Sequence, residues 1–262
     1  MHVDEELKSK DTLGDRMKAY EAEALKNNMR ADKFVVIRLD GNHFHTWVKK
    51  AKLRKPFDTR MISAMQTATL RLCETIPTCI MGYVQSDEIT LVLRKSDNLE
   101  ADPWFSNRVQ KLCSVSASIC TIAFNDAIRE QMSEHYVEPA YFDARVIFFP
   151  TLEEVFNNLI WRQNDCIKNS VSSLSHSLIP QKQLLSKNSD EQKKMMLELH
   201  GVDWNELSTV KKMGTLVHKE EVEGSYAGKV FKRAKFFCDE NIPRFSESKD
   251  FLMDCYKFKL ED

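Results

Sequence analysis

The sequence predicts an α+β fold: an antiparallel sheet with helices packed on one face, followed by a C-terminal helical extension. Three observations carry this prediction. Four short runs, 34–39, 79–85, 89–93 and 141–149, are rich in the apolar residues that favour strands. Helix-periodic segments separate the first run from the second and the third from the fourth. Only Ser86, Asp87 and Glu88 divide the second from the third, which reads as a hairpin.

The elements follow in order. Residues 12–29 have helical spacing, with Thr12 as cap and Leu13, Met17, Tyr20 and Leu25 recurring. The run Phe34 to Leu39 is apolar almost throughout, as a strand buried on both faces should be. Gly41 ends it, and a basic loop from Lys49 to Lys55 runs to Pro56. Asp58 opens an amphipathic helix whose apolar face is Met61, Met65, Ala68, Leu72 and Ile76; Pro77 closes it. The hairpin comes next, then a helix from about Trp104 to Glu130, with small residues around Ser116 for close packing on the sheet. The strand Tyr141 to Phe149 stops at Pro150. Thr151 and Glu154 form a capping box for a helix expected to reach about Lys168.

Residues 171–190 are Ser-, Gln- and Lys-rich and are expected to be a mobile connection or frayed helices. Asp190 is a candidate cap for a helix ended by Gly201. A short strand is expected at Thr215-Leu216-Val217, and the tail beyond it is charged and poorly patterned. The order β-α-β-β-α-β is the split, ferredoxin-like arrangement, which also describes palm-like sheets. That likeness is one of fold and does not by itself give function. The chain is expected to divide into a palm-like core over 1–150 and a C-terminal helical part of the same unit over 151–262.

The bulk composition restricts the partners. The chain has 262 residues, 42% of them hydrophobic, enough for a sizeable core. A formal charge of −1 excludes a uniformly basic nucleic-acid binder but leaves local patches, Lys49 to Lys55 and Lys229 to Lys235. The 7 cysteines include no C-x-x-C pair, which points to buried thiols in a reducing compartment. The acidic N-terminus is the opposite of a signal peptide, and no apolar run is long enough to span a bilayer. The expectation is a cytoplasmic protein without membrane contact.

Chemistry concentrates at the strand ends. Asp40 terminates the first strand and Asp87 sits at the hairpin bend. In this topology the two are expected to face each other. Carboxylates that close repel unless a cation compensates them, and hard oxygen ligands with room for phosphate suit magnesium. A pair of such ions would drive phosphoryl transfer. Gly41 lets its carbonyl and neighbouring amides approach a ligand, and amides of Asn42 to His45 are candidates to cradle a triphosphate. Lys55 is a candidate phosphate-neutralising charge. Glu88 is expected on the opposite face from Asp87, as an outer group. The pair His43 and His45 has strand-like spacing and suits ribose or base contact, or plain packing. Asp-Gly and Ser-Asp-Glu are also ordinary turn sequences, so structure alone remains the competing explanation. Trp161 is expected in the core, Arg162 beside Asp165, and Arg145 beside Asp143 or on a phosphate.

The stretches RLDGNHFHTW, KPFD, GYVQSDEITLVL, FDARV and LIWRQNDCIKNS, in that order and spacing, resemble the tRNA-His guanylyltransferase family and its Thg1-like relatives. The resemblance covers about 34–170, with a weaker echo in VKKMGTLVHK. It implies a reverse, 3′-to-5′ polymerase. It implies two magnesium ions on Asp40, the Gly41 carbonyl and Asp87, with Glu88 assisting catalysis. The nucleotide site would be Asp40, Gly41, Asn42, His43, Phe44, His45, Lys55, Ser86 and Asp87. ATP would activate an RNA 5′ end, and the 3′-hydroxyl of GTP or another nucleoside triphosphate would attack it. The implied partner is tRNA, contacted by the part over 151–262, and the implied assembly a homotetramer. Where eukaryotic-type members carry His-Ile-Asn-Asn, this chain reads Ile167-Lys168-Asn169-Ser170. That resembles the Thg1-like branch, associated with template-dependent repair of truncated tRNA 5′ ends. Guanosine addition to tRNA-His is the alternative; a nucleotide cyclase and a non-catalytic tRNA-binding protein are further readings.

Overall fold

The run Phe34-Val35-Val36-Ile37 forms the start of β1 (Phe34–Gly41), and its apolar continuity has a direct cause. Val35, Ile37 and Leu39 enter one core while Val36 enters a second core on the opposite face. The structure, a computed structural model, describes residues 33–95, 103–132, 138–226 and 229–259. The helix expected over 12–29 lies outside them.

After β1 come α1 (Phe44–Lys50), α2 (Thr59–Thr75), the hairpin strands β2 (Cys79–Gln85) and β3 (Glu88–Leu93), α3 (Val109–Gln131) and β4 (Phe142–Phe149). Then follow α4 (Leu152–Leu178), α5 (Gln181–Leu184), α6 (Ser189–His200) and α7 (Thr209–Met213). A second hairpin, β5 (Thr215–Tyr226) and β6 (Lys229–Asp239), leads to α8 (Lys249–Lys257). The six-stranded sheet has the order β4-β1-β3-β2-β5-β6 with every neighbouring pair antiparallel. Its first four strands are the ferredoxin-like set the sequence predicts.

Helices α2 and α3 cover one face. Asp58 caps α2 as expected, and Met65, Ala68, Leu72 and Ile76 are buried. On α3 the stripe Leu112, Ser116, Cys120, Phe124 recurs every four residues and faces the sheet. Each large apolar side chain of this stripe contributes roughly 2 kcal/mol by leaving water. The C-terminal extension covers the other face. Val155, Phe156 and Leu159 of α4 and Leu252 of α8 close over Val36, Met81, Tyr83 and Val92.

Several expectations are corrected. The loop read from Lys49 begins later than expected: residues 44–50, given no element by the sequence reading up to Val48, form α1, because Phe44 and Trp47 pack into an aromatic cluster with Phe124. Residues 171–190 are not a loose connection: α4 continues to Leu178, α5 and the start of α6 follow, and Val171, Leu174, Leu184, Met196 and Trp204 form their own core. The cap of α6 is Asn188, which forms a capping box with Glu191, and not Asp190. The tail read as unpatterned forms most of the β5–β6 hairpin and α8. Only Thr215, Leu216 and Val217 of β5 pair with β2, so the remainder of the hairpin extends beyond that contact.

Candidate active site

The pairing register decides which acids meet. Across β4, β1 and β3, Asp143, Asp40 and Glu88 stand directly opposite one another. Their side chains therefore lie in one row on one face, about 5 Å apart from strand to strand. The next row reads Arg145, Arg38 and Thr90. Asp87 lies at the bend beyond this row. Its carbonyl accepts a hydrogen bond from the N–H of Gly41 at 3.0 Å. Burial pushes the Asp87 carboxyl pKa up, the Ser86 hydroxyl pulls it back, and the negative charge of Asp40 raises it further. The bond from Gly41 to Asp87 sets the end of β1 beside the hairpin bend, the adjacency the sequence predicts for this topology.

Glu88 is expected as an outer group on the face away from Asp87; the register sets it in the row of Asp40. It shares the face of Asp40, and the buried Arg162 of α4 donates to its carboxylate from Nε at 2.6 Å. The second arm of Arg162 holds Asp165 at 2.7 Å, as the spacing suggests. Trp161 is not core: it is 55% exposed and stacks over the Arg162 guanidinium at 4.3 Å. Arg145 pairs with Asp143 at 3.1 Å and approaches Asp40 at 4.0 Å.

The loop after β1 supplies amides. Asn42 spends its N–H on the carbonyl of Tyr141, while His43, Phe44 and His45, at the start of α1, find no backbone acceptor among the described residues. His43 and His45 sit at this helix start, not on a strand, and both are exposed. Phe44 is 4% exposed and its ring packs against Trp47, Phe124 and Phe142, so the ring is closed to a ligand. The Phe44 ring also explains Gly41. A Cβ at that position would lie 2.2 Å from a ring carbon. Lys55 lies beside this loop, with Nζ 3.4 Å from Nε2 of His45. His43 and Ser86 both hold left-handed backbones, φ 52° and 49°, a strain that non-glycine residues carry mainly where the surroundings fix them.

Next to the bend, a pocket of about 120 Å³ opens between the start of α2, α4 and α7. Phe57, Met61, Ser86, Asn169 and Lys211 are among its walls. Among the described residues no group of three His, Cys, Asp or Glu side chains is arranged to hold a metal ion, so a cage built wholly from such side chains is not present there. The sequence reading missed Glu88–Arg162 and the row of three acids. The complementary triplets Arg38-Leu39-Asp40 and Asp143-Ala144-Arg145 carry the signal, but it becomes legible only with the strand pairing known.

A ferredoxin-like sheet whose end carries facing acids beside unbonded amides is the framework of palm-type nucleotide enzymes. Comparison with known proteins narrows the class. The Thg1 family, tRNAHis guanylyltransferase, matches residues 14–150. A probable tRNA(His) guanylyltransferase of Dictyostelium discoideum is 30% identical over 201 residues, 72% of this chain and 77% of that protein. Two solved structures of a bacterial tRNA(His) guanylyltransferase (Thg1)-like protein, in complex with ATP and with GTP, superpose with TM-scores of 0.82 and 0.78. Each is 32% identical and covers 95% of this chain and 100% of its own. The chain belongs to the tRNA(His) guanylyltransferase family, and it is a nucleotidyltransferase.

Proposed function

We propose that this protein adds nucleotides in the 3′-to-5′ direction to truncated tRNA 5′ ends, following the opposite strand as template. The observation that carries the reading is the meeting of Asp40 and Asp87 beside the free amides of α1 and Lys55. The likeness to proteins solved with ATP and with GTP supports nucleoside triphosphates as substrates.

The residues present fit magnesium. Two carboxylates and the Gly41 carbonyl are hard oxygen donors, too few for a closed cage, and magnesium keeps the rest of its shell for water and phosphate. When bound, two such ions would lower the pKa of an attacking hydroxyl and neutralise charge on the leaving oxygen. The chain's own groups do the remaining work. The His43, Phe44 and His45 amides and the Lys55 ammonium hold the triphosphate against repulsion from Asp40. Asp40 and Asp87 fix where positive charge collects, and Ser86 orients Asp87 through its hydroxyl at 2.9 Å. ATP would first transfer its adenylyl group to the RNA 5′-phosphate with release of pyrophosphate, and the 3′-hydroxyl of the incoming nucleotide would then attack that phosphorus, lose its proton and displace AMP.

Ile167, Lys168 and Ser170, standing where eukaryotic-type members carry other residues, support repair over guanosine addition to tRNA-His. Cytosolic residence and a homotetramer complete the proposal; the seven free thiols support the first. No described helix is long and apolar enough to cross a membrane.

The test is extension of 5′-truncated tRNAs that differ in the base opposite the first missing position. Incorporation that follows the template is expected. Guanosine regardless of template would transfer the protein to the alternative activity, and no extension by folded protein would remove the enzyme reading.

A further inference from the structure

Three acids in one row cannot all serve one cation site without cost, because like charges directly opposite across strands repel. The structure treats the three differently. Asp143 is held by Arg145 at 3.1 Å, and Glu88 by Arg162 at 2.6 Å. Among the described residues the central acid, Asp40, has only the 4.0 Å approach of Arg145, and its side chain is 40% exposed. Glu88 is the opposite case. Its side chain is 10% exposed, and that of its arginine 8%.

The guanidinium of Arg162 is fixed on three sides. Nε donates to Glu88, Nη2 donates to Asp165, and the Trp161 ring covers its face. This planar fork is what an arginine can satisfy and a lysine, a point charge, cannot. A surface pair would slip under competition from a cation, whereas this one sits between α4 and the sheet with little water to replace it.

We propose that Arg162 is a positioning residue that withholds Glu88 from the cation site, leaving Asp40 and Asp87 as the carboxylate ligands. This rests on Asp40 and Asp87 being magnesium ligands, and it divides the acidic row between two jobs. Arg162 draws Glu88 to the side of α4. The cation site then takes Asp40 from the row and Asp87 from the bend, two carboxylates and not three, which leaves more of the cation charge for an incoming polyphosphate.

The assay is calorimetric titration of the full chain with magnesium chloride alone, read beside thermal unfolding without metal. Glu88→Gln is expected to bind magnesium within about twofold of wild type, because Glu88 is not a ligand. Loss of about tenfold or more in that variant would make Glu88 a ligand and overturn the proposal. Arg162→Gln is expected to tighten magnesium binding by about tenfold through the freed carboxylate, and Glu88→Gln added to it restores the wild-type affinity. If Arg162→Gln instead lowers only the unfolding temperature, with magnesium affinity unchanged, Arg162 is merely structural and the proposal fails. Should Arg162→Gln not fold, Arg162→Lys, which keeps the charge but not the two-armed fork, takes its place, and an unchanged magnesium affinity in that variant overturns the proposal. Asp40→Asn separates the two levels: it should lose magnesium binding, and if it does not, the metal reading itself is wrong.

Discussion

Asp58 shows how a single side chain can organise the approach to the site. Burial pushes its carboxyl up, but hydrogen bonds from the Arg60 side chain and from the amides of Arg54 and Arg60 hold its pKa down to about 2. The folded value lies below the ordinary 3.8, so the folded chain gives up this proton more readily than the unfolded one. The contribution to stability is therefore complete above about pH 4, and it is lost as pH falls toward 2. Asp58→Ala should cost about 2 kcal/mol at neutral pH by chemical denaturation, and the gap to wild type should close in acid. Gly41→Ala should cost about 3 kcal/mol, since the Phe44 ring cannot leave its aromatic cluster to admit a methyl group. Asp40→Ala and Asp87→Ala should abolish 5′ extension while changing stability by about 0.5 kcal/mol or less, because each relieves repulsion between the two acids and Asp40 gives up only a long, half-exposed pair with Arg145. Full activity in either variant would break the site assignment.

At the scale of elements, the ferredoxin-like core was legible because β2 and β3 are buried throughout, β1 is buried through its middle, and α2 and α3 each carry an apolar stripe. The segment 171–190 misled for a specific reason. Its serines look like loop composition, yet Ser175 and Ser177 turn their hydroxyls back onto the α4 backbone, and Ser170 accepts from the Trp204 indole. The useful signal was Ile167, Val171, Leu174 and Leu178, spaced as one helical face. The amides of 171–178 should accordingly be protected in hydrogen exchange to a degree comparable with the rest of α4; exchange at loop rates would contradict a helix that runs unbroken to Leu178. The β5–β6 hairpin was illegible because residues 230–235 are exposed on both faces, so no alternation marks them. Asn188→Ala should cost about 1 kcal/mol by removing the capping box of α6.

At the scale of the molecule, the sheet joins two layers with different tasks. The α2–α3 side holds β1 and the hairpin bend in place, and the α4–α8 side reaches across to the acidic row through Arg162. The five ordered motifs pointed to the family; the pairing of strands was needed to show which acids share a face. The most direct measurement of the central claim is a crystal structure with GTP and manganese, whose anomalous signal locates the cation. Density bridging the Asp40 and Asp87 carboxylates, with the triphosphate on the 43–45 amides and Lys55, is the predicted result. Manganese elsewhere, with those two acids turned apart, would contradict it.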